Sequence, residues 1–163
     1  MKALVINCTL KKSPEPSNTE ALASMVTARL SKLGVRSESV RAVDPPIAPG
    51  VVTDAGDGDA RPDVHERLLD SEILVNASPT WLGRPSSVAQ RVLERSEISG
   101  ALADIGYTIP GQAWTYWHLG PGPGPDHLDD EPGRDWAHST GRTMADNPHR
   151  VAGALAGPSP VSG

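Results

Sequence analysis

Thr9, Lys11, Ser17 and Thr19 stand close together near the start of the chain, and all four side chains donate hydrogen bonds without carrying negative charge. That donor set suits an anion. It lies between an apolar run, Ala3-Leu4-Val5-Ile6-Asn7, and a helical pattern opened by Ser17-Asn18-Thr19-Glu20. The run does not alternate, which predicts a parallel strand buried on both faces. Ser17 with Glu20 three residues later matches a capping box, so a helix is expected to begin there, with Glu20 turning back to the Ser17 amide. A strand, a loop and a helix start bring unpaired N–H groups and the positive end of the helix dipole to one point, which is what a phosphate requires. An ordinary βα turn with a well-capped helix uses the same residues, so the stretch alone leaves both readings open.

A second group follows another apolar run. Ser78-Pro79-Thr80-Trp81-Leu82-Gly83 comes directly after Ile73-Leu74-Val75-Asn76-Ala77, which predicts a second doubly buried strand. In a doubly wound sheet, ligands sit outside the carboxyl ends of the strands, and the loops after Asn7 and Ala77 both emerge there. Phosphate donors on one loop, with a tryptophan and a glycine on the other, suit a flat aromatic ligand with a phosphate tail, such as flavin mononucleotide.

The elements that must hold these loops alternate. A helix is expected over about residues 17–33, stopped by Gly34, then a polar edge strand over 35–40 and a loop over 44–61 broken by Pro45-Pro46 and Gly56-Asp57-Gly58-Asp59. A short helix over about 62–69 precedes the strand at 73–77, and another helix begins at Pro85. Helix and strand alternation of this kind predicts an α/β doubly wound parallel sheet. Residues 106–117 read as a last strand with an exit segment, with Pro110 at its edge. The Gly-Pro alternation over 120–125 is no dinucleotide fingerprint, because proline lacks the N–H donors. A final helix is expected over about 134–146, interrupted by Pro148. The domain then spans 1–156, with a disordered tail over 157–163.

One junction conflicts with this order. The apolar residues Val88, Ala89, Val92 and Leu93 and the following set Ile98, Ala101, Leu102 and Ile105 centre on opposite sides of a single helix. Either the helix breaks near Arg95, or two half-helices meet where an intervening piece is missing, and the second account is the one favoured here.

Composition removes several classes. A net charge of −5 offers no basic patch for nucleic acid. No apolar stretch is long enough to cross a membrane, and the start lacks a signal-peptide pattern, so a soluble cytoplasmic protein is expected. One cysteine excludes an internal disulfide, and the absence of Phe makes the core aliphatic with a few Trp. Cys8 reads as packed rather than reactive. Asp54, Asp57 and Asp59 lack calcium-loop spacing, and the five histidines show no ligand spacing, so no metal site is expected. Trp114, Tyr116, Trp117 and Trp136 suit packing or subunit contacts, which leaves a homodimer open.

The stretch Leu4 to Thr19, the loop Pro79-Thr80-Trp81-Leu82-Gly83 with Pro85-Ser86-Ser87, and the segment Tyr107 to Trp117 together resemble the flavodoxin-like NADPH-dependent FMN reductase family. The resemblance implies a flavodoxin-like three-layer sandwich with FMN at the carboxyl edge of the sheet. It implies that Thr9, Lys11, Ser17, Asn18 and Thr19 hold the phosphate and that Pro79, Thr80, Trp81, Leu82 and Gly83 lie along the isoalloxazine. Hydride would pass from NAD(P)H through FMN to a small-molecule acceptor such as a quinone or free flavin, with no catalytic acid or base of the protein. The chain departs from the family between Arg95 and Ile98, where on the order of 30 residues, one βα unit, are absent. That departure predicts a sheet without its fourth strand. It also raises the alternative of a degenerate domain with weak or no flavin binding and no turnover.

Overall fold

The computed structural model of the protein describes residues 1–50, 52, 54–81, 84–96, 107–117 and 125–157. Three parallel strands form the sheet: β1 (Lys2–Asn7), β2 (Arg36–Arg41) and β3 (Ile73–Ala77), in the order β2-β1-β3. Ala3 stands opposite Ser37 on one side and Ile73 on the other, and the register runs on to Asn7 between Arg41 and Ala77. This order begins the flavodoxin-like arrangement 2-1-3-4-5. Among the described residues no strand pairs with the outer edge of β3, as the shortened sequence predicted.

Helices cover both faces: α1 (Asn18–Lys32), α2 (Arg61–Leu69), α3 (Ser87–Ser96) and α4 (Glu131–Leu155). Successive residues of β1 point to opposite faces, and each face has its own core. Ala3 and Val5 pack with Val26 and Leu30 of α1, Val75 of β3 and Ala145 of α4. Leu4 and Ile6 pack with Leu68 of α2 and with Val88, Ala89 and Val92 of α3. The result is the predicted three-layer sandwich, and its continuous burial along β1 explains why that strand carries no alternation. β2 exposes Arg36 through Ser39, as an edge strand does. β3 is buried on the α1 side at Ile73 and Val75 but only half-buried at Leu74 and exposed at Asn76, so it is less enclosed than predicted.

Other expectations are corrected. The segment 107–117 is not a strand. Gly111 follows Pro110, and Gln112 takes a positive φ of 54°, which breaks extended pairing. Its side chains dock it elsewhere: the Tyr107 hydroxyl donates to the Leu68 and Ser71 carbonyls, and the Thr115 and Thr140 hydroxyls meet at 2.6 Å. The last helix does not stop near Asp146 but runs through Pro148 to Leu155. Pro148 forgoes one backbone bond, while Met144, Ala145 and Ala152 pack against the core on either side of it and carry the helix past. The second apolar set, from Ile98 to Ile105, lies outside the described residues, as do Leu82, Gly83 and the end of the tail.

Helix α1 starts as predicted, with the Ser17 hydroxyl accepting from the Glu20 amide at 3.3 Å. The reciprocal half of the capping box is not made, because the Glu20 carboxylate pairs instead with the guanidinium of Arg41. At the far end Gly34, with φ of 78°, lets the Val35 amide turn back to the Leu30 carbonyl at 3.0 Å.

Candidate functional site

The loop over residues 8–17 leaves the carboxyl end of β1 and is tied down from below and from the side. The buried Asn7 side chain accepts from the Thr9 amide at 3.1 Å, and the Thr9 hydroxyl accepts from the Lys11 amide at 3.3 Å. Asp44 receives both the amide and the hydroxyl of Ser13, at 3.0 and 2.6 Å, and these bonds hold its carboxyl below the usual carboxylate range. Arg41 donates to the carbonyls of Lys11 and Glu15, at 3.4 and 3.0 Å. Two buried nitrogens here, Nδ2 of Asn7 and Nε of Arg41, are donors with no acceptor among the described residues. Lys11 and Lys12 are exposed beside them. The first amides of α1, at Asn18 and Thr19, have no carbonyl to bond within the helix. The loop therefore gathers unused donors around one helix start, with Lys11 and Lys12 at its surface and Arg41 balanced by Glu20.

Cys8 sits beneath this loop, buried, and burial pushes its thiol up to about 12. It is a packed residue, as its position predicted, and not a nucleophile at neutral pH.

The second loop leaves the carboxyl end of β3. Pro79 precedes a two-residue strand β4 (Thr80–Trp81), which pairs antiparallel with β5 (Arg84–Pro85). Ser86 locks this hairpin to the rest. Its buried hydroxyl donates to the Cys8 carbonyl at 2.8 Å and accepts from the Ala89 amide at 3.1 Å, capping α3, while its own amide donates to the Ser78 hydroxyl at 3.0 Å. One serine thus joins the ends of β1 and β3 to a helix start. In the sequence Ser86 is only one member of the Pro85-Ser86-Ser87 motif, and nothing local announces its bonds to Cys8 and Ser78.

Between the start of α1 and the loop after β3 a cavity of about 560 Å³ opens at the carboxyl edge of the sheet and extends along β3. Asn18 and Thr19 form one end, Ser78, Pro79 and Thr80 a side, and Val75 with Val26 and Met144 an apolar floor. Thr115, Tyr116, Trp117 and His127 complete the wall. Of the predicted site residues, Asn18, Thr19, Pro79 and Thr80 line this cavity. Thr9 and Ser17 are buried in the bonds of their own loop, and Lys11 stands at its surface. Trp81 lies in β4, its backbone opposite Arg84. The aromatic wall was read from sequence as packing, yet Tyr116 and Trp117 face the cavity. Tyr116 stacks on Trp114 at 5.2 Å and meets Trp136 at 4.6 Å, and Trp117 donates its indole N–H to Asp130 at 2.8 Å. Among the described residues no group of His, Cys, Asp and Glu is placed to hold a metal ion.

An α/β sandwich with a parallel sheet in the order β2-β1-β3, helices on both faces and a ligand-sized cavity between the start of α1 and the loop after β3 defines a flavodoxin-like fold. The chain belongs to the NADPH-dependent FMN reductase family, whose model matches residues 1–108. It is 27% identical to 8-demethyl-8-aminoriboflavin-5'-phosphate synthase of Streptomyces davaonensis, over 79% of this chain and 68% of that protein. It is 34% identical to a protein of Mycobacterium bovis named divalent metal cation transporter MntH, over 79% of this chain but only 25% of that much longer protein. No helix among the described residues is long and apolar enough to cross a membrane. In structure it superposes on RosB, solved with the bound intermediate 8-demethyl-8-formylriboflavin-5'-phosphate, with a TM-score of 0.84 at 24% identity, covering 96% of this chain and 80% of that one. The two sequence alignments run over 169 and 175 positions, more than the 163 residues of the whole chain although each covers 79% of it, so both relatives carry internal residues that this chain lacks.

Proposed function

We propose that this chain is a flavin-dependent oxidoreductase that holds FMN in the cavity at the carboxyl edge of its sheet and passes hydride from NAD(P)H to a small-molecule acceptor such as a quinone or free flavin. The observation that carries the reading is the cavity itself, which joins the start of α1 to the loop after β3 in a member of this family. Its volume lies within the range of small-molecule sites, roughly 300–1,000 Å³. The names of the Streptomyces synthase and of the RosB ligand both describe riboflavin phosphates, which supports a flavin phosphate as the ligand class.

The residues present fit the group. Asn18 and Thr19 at the helix start, with Lys11 from the preceding loop, would hold the phosphate. Pro79, Thr80, Trp81, Leu82 and Gly83 would lie along the ring system, with Tyr116 and Trp117 opposite. Bound FMN would supply the hydride-carrying chemistry, and the protein would bind and orient it and shield it from water. No side chain is required to move a proton. The reading sets the reaction in the cytoplasm, where NAD(P)H is available.

The test is titration of the purified protein with FMN, followed by NADH and NADPH oxidation with a quinone. Saturable binding with acceptor-dependent turnover is expected. One observation favours a second reading: the outer edge of β3, unpaired among the described residues, together with the internal residues that the relatives carry, is what a degenerate domain would show. Flavin binding without turnover would select that reading, and no binding at all would reject the site.

A further inference from the structure

His127 lies in the turn at 126–129, just before α4, and is 2% exposed. It lines the cavity, and its ring meets that of Trp117 edge-on, with centroids 5.6 Å apart. Trp117 is in turn fixed by its bond to Asp130, so the imidazole has little freedom to turn elsewhere. Its Nδ1 is buried and has no hydrogen-bond partner among the described residues. A buried polar atom left unpaired is costly, which is why native structures rarely keep one without a use. Burial, and after it the charges of Arg134 and His138, lowers the proton affinity of this ring, against the smaller opposing pull of Asp130. At neutral pH the imidazole is therefore uncharged, with one N–H and one acceptor nitrogen.

We infer that His127 is the ring-orienting contact of this site, a heteroatom on the rim of the bound flavin being the hydrogen-bond partner that its buried Nδ1 lacks. The inference rests on the FMN reading and deepens it. An isoalloxazine has two unlike rims. One carries carbonyls and ring nitrogens, the other only methyl groups, so only the first can satisfy Nδ1. An uncharged imidazole gives little attraction to a phosphate, whereas the α1 start with its lysines and free amides gives a great deal. The ligand is thereby oriented, its phosphate at Asn18 and Thr19 and its pyrimidine rim at His127. The residue is a ligand contact and takes no part in hydride transfer.

The experiment compares His127→Phe and His127→Gln with the wild type. Phe keeps the ring against Trp117 but removes the hydrogen bond, and Gln restores a polar atom. FMN affinity should fall about tenfold in the Phe variant and stay within about threefold of wild type in the Gln variant, as the loss and partial return of one hydrogen bond require. In wild-type protein with ¹⁵N-labelled histidine, the Nδ1 resonance should move on addition of FMN. Thermal melts of each variant separate loss of fold from loss of contact, and the labelled wild type decides the matter if the Phe variant does not fold. Wild-type affinity in a folded Phe variant, or an Nδ1 resonance unmoved by saturating FMN, overturns the inference and leaves the FMN reading standing. Failure of the wild type to bind FMN overturns both.

Discussion

The loops that leave the carboxyl ends of β1 and β3 are built in opposite ways. In the loop after β1, the polar side chains turn inward: Thr9 and Ser17 hold the backbone of their own segment, and Arg41 and Asp44 brace it from the next crossover. What this loop offers a ligand is backbone N–H groups and charge. In the loop after β3, Ser78 and Ser86 tie the hairpin to the ends of the strands, and Pro79 and Thr80 line the cavity. The same contrast runs through the sheet. β1 is enclosed by a strand on each side and a core on each face, while β3 has one strand neighbour among the described residues. A rigid anion end and a more open ring end suit a ligand with a charged tail and a flat body.

The contrast can be broken first at its rigid side. Leu4 is fully buried at the centre of β1, and Leu4→Ala should cost about 2–5 kcal/mol of stability in urea denaturation, from lost burial and the cavity left behind. Ile109, on the segment that crosses beyond β3, is 91% exposed, and Ile109→Ala should change stability by no more than about 0.5 kcal/mol. Equal losses at the two positions would mean that the open side is as tightly packed as the centre.

Ser86 joins the two sides. Ser86→Ala removes the cap of α3 and leaves the buried Cys8 carbonyl without its donor, so a loss of about 1–3 kcal/mol is expected in the same assay. A change in the opposite direction is predicted at Gly141, inside α4. A methyl group there would meet Val26, Met25 and Thr115 at 3.8–4.0 Å, ordinary contact distances, so Gly141→Ala should raise stability by about 0.5–1 kcal/mol.

The smallest effect concerns Asp146, whose carboxyl the hydrogen bond from Arg29 holds below its usual range, at 2.7 and 3.1 Å to the two oxygens. A carboxyl with a lowered folded-state pKa stabilises the fold above the ordinary carboxylate range and loses that contribution as the pH falls through its folded value. The stability difference between wild type and Asp146→Asn should accordingly be full at neutral pH and close on acidification. A difference independent of pH would show that the pair does not titrate with folding.

Much of the β1–α1 unit was legible in the sequence because it is local: strand, loop and cap follow one another along the chain. The continuous apolar run of β1 and the Ser17 cap need no distant partner to be recognised. The far wall of the cavity was less legible because it is assembled from far-apart pieces. Alternating aromatic residues from Tyr107 to Trp117 imitate a strand, and only Pro110, Gly111 and the positive φ at Gln112 undo it. Gly141, Gly153 and Pro148 lower helix propensity along α4, yet its packing against α1 and the core overrides them. His127 in an acidic loop has no spacing signal, and its role depends on Trp117 and the burial that tertiary structure creates.

The measurement that tests the central claim most directly is a paired titration of wild type and Thr19→Asp with FMN and with riboflavin, which lacks the phosphate. An acidic residue in the first turn favours the helix but opposes an anion at the same place, so the variant should fold as well as wild type. We predict that its affinity for FMN falls at least about tenfold while its affinity for riboflavin is unchanged, the loss of a charge-assisted contact being worth about 1.5–3 kcal/mol. Equal FMN binding by the two proteins, or no FMN binding by the wild type, would contradict the account.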